Sequence, residues 1–369
     1  MVRPRLRRDL HPVAWWVWAI ALAAAASFTT NPLVLLLVLG AVAVVVAARR
    51  GDQPWSRSFR IYVWVGVVIV AIRVAFRIVF GVEGGTVLLD LPEIPLPGWV
   101  DGVRLLGPLT LQALLAGLYD GLRLATIVIC VGAANSLANP KRLLRSVPPA
   151  LYEVGTALVV AVTVLPQFAD SVRRVRAAQG LRAGATSRTG RFRRTLVPVL
   201  EDALERSLAL AAGMDTRGYG RSGAATPAER RRTGALMLSG VGGLCVGIYA
   251  VLDTTAPRYL AAPMLLLGVL AAVVGIASAG RRVRRTRYRA DRWRVEEVLV
   301  AASGLLAGVA AWSLADRRLD VVHPTLDAVP PMTLLALAPA ALGLLGGLCA
   351  PAPPLADSTP QSTLQEVPA

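Results

Sequence analysis

Two short segments place an arginine among small residues at the end of a helical stretch: Gln179-Gly180-Leu181-Arg182-Ala183-Gly184 and Met214-Asp215-Thr216-Arg217-Gly218-Tyr219-Gly220. A guanidinium at such a point complements the partial negative charge of a helix C-terminus. Its planar fork also makes paired hydrogen bonds to a carboxylate or phosphate. Glycine and alanine neighbours keep the tip slim enough to enter a groove on another protein. One arginine of this kind is explained as well by solvation or by lipid headgroups. Two of them, at the ends of consecutive polar helices, point to docking. Arg182 and Arg217 are then the contacts, with Gln179, Met214, Asp215, Gly218 and Tyr219 shaping the tips.

Other residues capable of chemistry are few. The only histidines are His11 and His323, so a histidine-built metal site is not expected. Cys130, Cys245 and Cys349 sit far apart in apolar runs and read as small buried hydrophobes. No Gly-x-x-x-x-Gly-Lys-Ser/Thr segment occurs, so the chain carries no phosphate-cradling P-loop of that kind. Neither a metal, a cofactor nor a catalytic residue is expected. Asp120 and Arg123 fall three residues apart in one apolar run, and Arg73 falls in another. Charges inside a membrane are expensive and are functional candidates. Asp120 and Arg123 share a helix face, where they neutralise each other as a structural pair or serve a transport site.

The elements that position these residues follow from composition. The chain has 369 residues, is 55% hydrophobic and carries a net charge of +17. Its mean hydropathy is +0.56. Apolar runs at Val13–Phe28, Leu33–Ala47, Ile61–Val79, Leu109–Leu137, Leu236–Leu252, Leu260–Ala279, Val298–Leu314 and Met332–Ala350 have the length and composition of spans. The expected fold is all-α: a polytopic membrane protein of about eight spans with a pair of helices outside the membrane. Lys141 is the sole lysine, and arginines gather in the segments between apolar runs on one side. That placement follows the positive-inside rule and argues against nucleic acid as partner. Acidic lipid headgroups account for part of the attraction. Both termini are placed in the cytoplasm, and the Pro- and Gly-rich, acidic segment from Gly81 to Pro108 outside. No cleavable signal is expected, since the first apolar run is followed closely by a second.

Leu151 to Leu165 is apolar but basic on both flanks. A full crossing there would put the arginine-rich insert and the later Arg281–Arg294 cluster outside. The expectation is a helix lying along, or dipping into, the inner face, with Pro166 starting its departure. Beyond it, Phe168, Val172 and Val175 recur at helical spacing up to Gln179, and Leu196, Leu200, Leu204 and Leu208 recur one turn apart. Pro198 is expected in the first turn of the second helix, where proline is tolerated. Glu201, Asp202 and Glu205 read as a solvated face of it. Gly240, Gly243 and Gly247, and later Gly343, Gly346 and Gly347, allow close helix approach, internally or to a partner subunit. The chain divides into N-terminal membrane helices (1–150), an interfacial helix with the polar helices (151–234), C-terminal membrane helices (235–350) and a Pro-, Ser- and Gln-rich tail (351–369) expected to be disordered.

Around the two tips the chain resembles the transmembrane T component of energy-coupling factor (ECF) transporters, the family that includes the cobalt-transporter Q subunit. Arg174-Val175-Arg176-Ala177-Ala178-Gln179 is similar to the run preceding the family's first Ala-Arg-Gly motif, which falls here on Leu181-Arg182-Ala183. The second motif falls on Thr216-Arg217-Gly218, with only the alanine replaced. Asn139-Pro140-Lys141-Arg142-Leu143-Leu144, Tyr152-Glu153, Leu165-Pro166 and His11-Pro12 are also similar to the family, so coverage runs from about His11 to Leu252. The spans after Arg281 look like a C-terminal extension. The resemblance implies a non-catalytic coupling subunit of a multi-pass bacterial cell (inner) membrane importer for a vitamin or a transition metal such as cobalt. Its coupling helices would dock on two ABC ATPase subunits, which hydrolyse the ATP, and move a small substrate-binding membrane S subunit. The alternative is a membrane enzyme acting on a phosphate-bearing lipid-linked substrate, for which Glu201, Asp202 and Glu205 are the only nearby acidic candidates. A stand-alone secondary transporter would need more buried ionisable residues than Asp120, Arg123 and Arg73 supply.

Overall fold

A computed structural model describes residues 9–51, 58–80, 85–90, 92, 106–146, 151–181, 188–219, 226–253, 257–280 and 293–352. The helices in chain order are α1 (Pro12–Ser27), α2 (Pro32–Arg49), α3 (Phe59–Val79), α4 (Leu111–Leu137), α5 (Pro140–Arg145), α6 (Tyr152–Leu181), α7 (Arg188–Thr216), α8 (Pro227–Leu252), α9 (Arg258–Gly280), α10 (Val295–Arg317), α11 (Leu319–Val322) and α12 (Ala338–Cys349). Between α3 and α4, β1 (Val87–Asp90) and β2 (Pro108–Thr110) form a two-stranded antiparallel ribbon. The fold is all-α and polytopic apart from that ribbon. Seven helices, α2, α3, α4, α6, α8, α9 and α10, are long and apolar enough to cross a membrane, while α1 and the segment Leu334–Cys349 are apolar but shorter.

Helix starts are written locally. His11 and Asn31 precede Pro12 and Pro32, and each accepts a hydrogen bond from a backbone N–H of the first turn. Proline suits that first position because its missing N–H would have no partner there. Thr226, Pro227 and Glu229 start α8 with a reciprocal capping box.

The chain forms two compact units, residues 1–143 with 291–369, and residues 144–290. In the first, α1 packs on α4 and α10, α2 on α4 and α12, and α3 on α4. Trp18, Leu22, Val38, Val42, Val45, Cys130 and Val300 make the core. Small residues set the close approaches: Gly304 lies against the Trp18 backbone, and Gly346 and Gly347 lie against the Trp18 and Val45 side chains. The Trp18 indole donates to the Gly343 carbonyl at 3.1 Å. The segment after α10 also caps the α1–α2 turn. Asn31, fully buried, donates to the carbonyls of Val321 (2.8 Å) and Pro331 (3.1 Å) while its own oxygen accepts from the Leu33 N–H. At the opposite helix ends, the buried Glu297 carboxylate accepts from the N–H groups of His11 and Arg294. The spans that look like an extension in sequence are therefore part of the same core as α1 and α2.

In the second unit, α8 and α9 form a tight hairpin. A Cβ on Gly240, Gly243 or Gly247 would meet Ala272, Gly268 or Leu265 within 3.0 Å, so this glycine run serves internal packing. Cys245, expected to be buried, is exposed on α8 within this chain, Cys349 is half-buried and Cys130 buried.

Two expectations about α6 and α7 change. Leu151–Leu165 and Phe168–Gln179 are not separate helices: α6 is continuous for 30 residues with Pro166 inside it. Pro198 is not in the first turn of α7, because that helix already starts at Arg188. Proline at this interior position leaves the Arg194 carbonyl without its usual helical donor. The 351–369 tail falls almost entirely outside the described residues, as does most of the Arg281–Arg294 cluster.

Candidate functional site

The Arg217 tip is built by the backbone. At the end of α7, Gly218 N–H donates to the Asp215 carbonyl (2.9 Å), and Tyr219 N–H reaches back to the Met214 carbonyl (3.0 Å). Gly218 has φ +76°. This is the Schellman arrangement, in which a left-handed residue follows the helix and satisfies its last carbonyls. Glycine is required for its conformation and not for space, since a Cβ at 218 would meet nothing within 4 Å. Asp215, Arg217, Gly218 and Tyr219 are exposed and Met214 is half-buried. The Arg217 side chain is exposed at the negative end of the helix and makes no ion pair among the described residues. Arg182 lies outside the described residues, immediately after Leu181, the last residue of α6.

What sequence alone missed is how α6 and α7 are tied together. Val199 and Ser171 are both buried. Asp202, on the same face of α7 one turn after Val199, is bonded by the Ser171 hydroxyl of α6. Arg206 also bonds it at 2.9 Å, and Arg174 of α6 lies at 3.6 Å. The Ser171 hydrogen bond is the largest cause holding the Asp202 carboxyl below its ordinary value, followed by the Arg206 hydrogen bond; desolvation opposes them, and the charges of Arg206 and Arg174 add lesser lowering effects. Further along, the Thr195 hydroxyl donates to the Gln179 side-chain oxygen at 2.9 Å. Gln179, expected to shape the first tip, is engaged in this tie. Asp202, expected on a solvated face, is the ion-pairing centre of the crossing. An acidic residue four before an arginine was the visible signal for the Asp202–Arg206 pair. Nothing in sequence indicated that Ser171 and Arg174 would face it.

These ties show that α6 and α7 run antiparallel where they meet, because Ser171 faces Asp202 while Gln179 faces Thr195. The end of α6 therefore lies beside the beginning of α7. From Thr195, α7 continues to Arg217 over about 33 Å at 1.5 Å per residue, and Leu181 lies about 3 Å beyond Gln179 the other way. Leu181, the last described residue of α6, and Arg217 therefore stand about 36 Å apart along the helix pair.

The charges within the spans are arranged differently from the expectation. Asp120 pairs with Arg77 of α3 at 3.3 Å, not with Arg123. Arg123 instead donates to the Ser27 carbonyl at the end of α1. The reason is the stripe of Gly117 and Gly121 on α4, which brings the α3 backbone close enough for Arg77 to reach Asp120. Arg73 lies over Gly121 with its side chain exposed and makes no ion pair among the described residues. Glu201 and Glu205 are exposed on α7.

The profile of the CbiQ cobalt transport proteins matches residues 4–227, which span both tips, their ties and α1 to α4. The chain belongs to the CbiQ cobalt transport protein family. This is the T-component family of ECF transporters, so the protein is a membrane component of a transporter of that type. The matched residues end at the start of α8, leaving α8 to α12 outside them. No curated protein matches the chain.

Proposed function

We propose that this CbiQ-family protein is the coupling subunit of an ECF-type ABC importer, with Arg217 and Arg182 as docking contacts for two ABC ATPase subunits. The observation that carries the proposal is the α7 terminus: a Schellman-closed end holding an exposed Arg217, without an ion pair among the described residues, beside Gly218. A guanidinium so presented suits a carboxylate in a groove of a partner. The end of α6 and Arg217 lie about 36 Å apart along the helix pair, which suits two partner subunits better than a single groove. Asp215 and Tyr219 flank the second contact. ATP is hydrolysed by the partners, and this subunit is non-catalytic: it transmits their closure to a small substrate-binding membrane S subunit. Family membership favours cobalt among the vitamin and metal substrates that such importers take.

The orientation follows from charge. Both termini, α6 and α7 belong on the basic, cytoplasmic side, with the first half of α6 lying in or along the inner face of the membrane. Cysteine labelling at Ser187 from the cytoplasmic side alone is the expected result; labelling only from outside refutes this topology.

The docking assignment is tested by copurification. Arg217→Glu together with Arg182→Glu should abolish recovery of the ATPases with the membrane subunit while membrane insertion is retained. Unchanged recovery would sink the assignment.

A further inference from the structure

We propose that Asp202 and Gln179 are positioning residues that together set the crossing angle of α6 and α7, and so hold the Arg217 tip in a defined place relative to the end of α6. The inference rests on the docking function proposed above and extends it to the residues that tie α6 to α7.

Helices that meet at one small contact can rotate about it like scissor blades. Near these ties the buried side chains of α6 and α7 among the described residues are Ser171 and Val199, a hydroxymethyl group and a valine, which resist rotation poorly. Two polar ties add what that contact lacks. The first joins Ser171 and Arg174 to Asp202, and the second joins Gln179 to Thr195 at 2.9 Å. The ties lie about 12 Å apart along α6 and about 10 Å apart along α7. One tie permits rotation. Two ties separated by similar distances on both helices do not, because turning either helix lengthens at least one of them.

The lever arm makes this consequential. Arg217 stands about 27 Å from Val199, so a rotation of 10° about the crossing there would displace it by about 5 Å. That exceeds the reach of a hydrogen bond. Asp202 is suited to the task because its partners are spread around it. Ser171 and Arg174 approach from α6, and Arg206 from its own helix at 2.9 Å holds the carboxylate in one rotamer. The ion pairs are partly exposed, with side-chain exposures of 58% for Arg174 and 45% for Arg206. Ties of this kind add little to global stability. Their effect lies in orientation.

The test reads the crossing itself in the assembled transporter. Leu165 of α6 and Leu208 of α7 are exposed and lie on the same side of the crossing. With the native cysteines replaced by serine or alanine, spin labels at these two positions report the splay of the helices in the complex with its ATPases, reconstituted in nanodiscs. The unmodified ties should give one narrow distance distribution. Asp202→Asn should broaden it at least twofold, Asp202→Asn with Gln179→Ala should broaden it further, and Asp202→Glu should restore most of the narrow peak. ATP turnover by the assembled complex should fall several-fold in the loosened variants and recover in Asp202→Glu. A narrow, unshifted distribution in Asp202→Asn overturns the proposal, and so does broadening that leaves ATP turnover unchanged. If Asp202→Asn does not assemble, Arg174→Gln with Ser171→Ala removes the same tie from α6 and decides by the same two readouts. Failure of the docking function would appear separately, as ATPase recovery that survives reversal of both tip arginines.

Discussion

Gly218 and Gly213 lie five residues apart on the same helix, and replacing each by alanine should have opposite consequences. Gly213 is inside α7, has no positive φ, and a Cβ there would meet nothing within 4 Å. Alanine at that position should stabilise the last turns of α7 by about 0.8–1 kcal/mol through helix propensity. Gly218 has equally free space but φ +76°. Alanine there must hold a left-handed conformation that costs an L-residue about 1–2 kcal/mol. The two variants should therefore differ by about 2 kcal/mol, or roughly thirtyfold in the opening equilibrium of the tip. Hydrogen exchange at the Gly218 and Tyr219 amides reads this directly, since both are donors in the closing arrangement. Gly218→Ala should lose about fivefold protection and Gly213→Ala should gain about as much. Gly218→Asn should fall between wild type and alanine, because asparagine tolerates the left-handed region. Recovery of the ATPases should follow the same order if the tip is the docking element. Equal effects of alanine at both positions, or full protection in Gly218→Ala, would refute the assignment of the tip to a glycine-dependent backbone turn.

Three further outcomes are expected. Asn31→Ala removes two donors to the Val321 and Pro331 carbonyls and the cap of α2, and should lower stability by about 2–4 kcal/mol, read as a fall in thermal midpoint in detergent; a change under about 0.5 kcal/mol would show that this turn is not stapled through Asn31. Gly304→Ala would place a Cβ 2.5 Å from the Trp18 Cα and should cost about 1–3 kcal/mol, whereas Gly40→Ala, with nothing within 4 Å, should be neutral or stabilising by the same measurement. The pH response of the α6–α7 crossing follows from Asp202: its folded-state pKa is depressed, so its contribution is complete above the ordinary carboxylate value of about 3.9 and disappears as pH falls through the lower folded value. The distance between labels at Leu165 and Leu208 should thus stay constant from pH 8 to about pH 5 and spread only in stronger acid; spreading near pH 6 would contradict the assignment.

Much of the architecture is local information, and it is legible in the chain. The apolar runs end where the spans end within a few residues, as in Ile61–Val79 against α3 at Phe59–Val79. A span is recognised by length and apolarity alone, because the membrane supplies its surroundings whatever its neighbours. The second tip is equally local: Arg217-Gly218 predicts an arginine at a glycine-closed helix end, and the Schellman bonds there involve only residues 214–219. Tertiary structure decided which residues meet across helices. Asp120 has an arginine three residues away in sequence, yet pairs with Arg77, because Gly117 and Gly121 admit α3 at a depth that no pattern within α4 specifies. The same holds for Asp202 with Ser171 and for Asn31 with Val321, partners 31 and 290 residues apart. Helical period states which face a residue occupies but not which helix will lie on that face, and a choice of neighbour is set by the fit of whole surfaces against one another. Sequence by itself determined a membrane protein with an arginine at a glycine-closed helix end, and only the packed structure determined which residues tie α6 to α7.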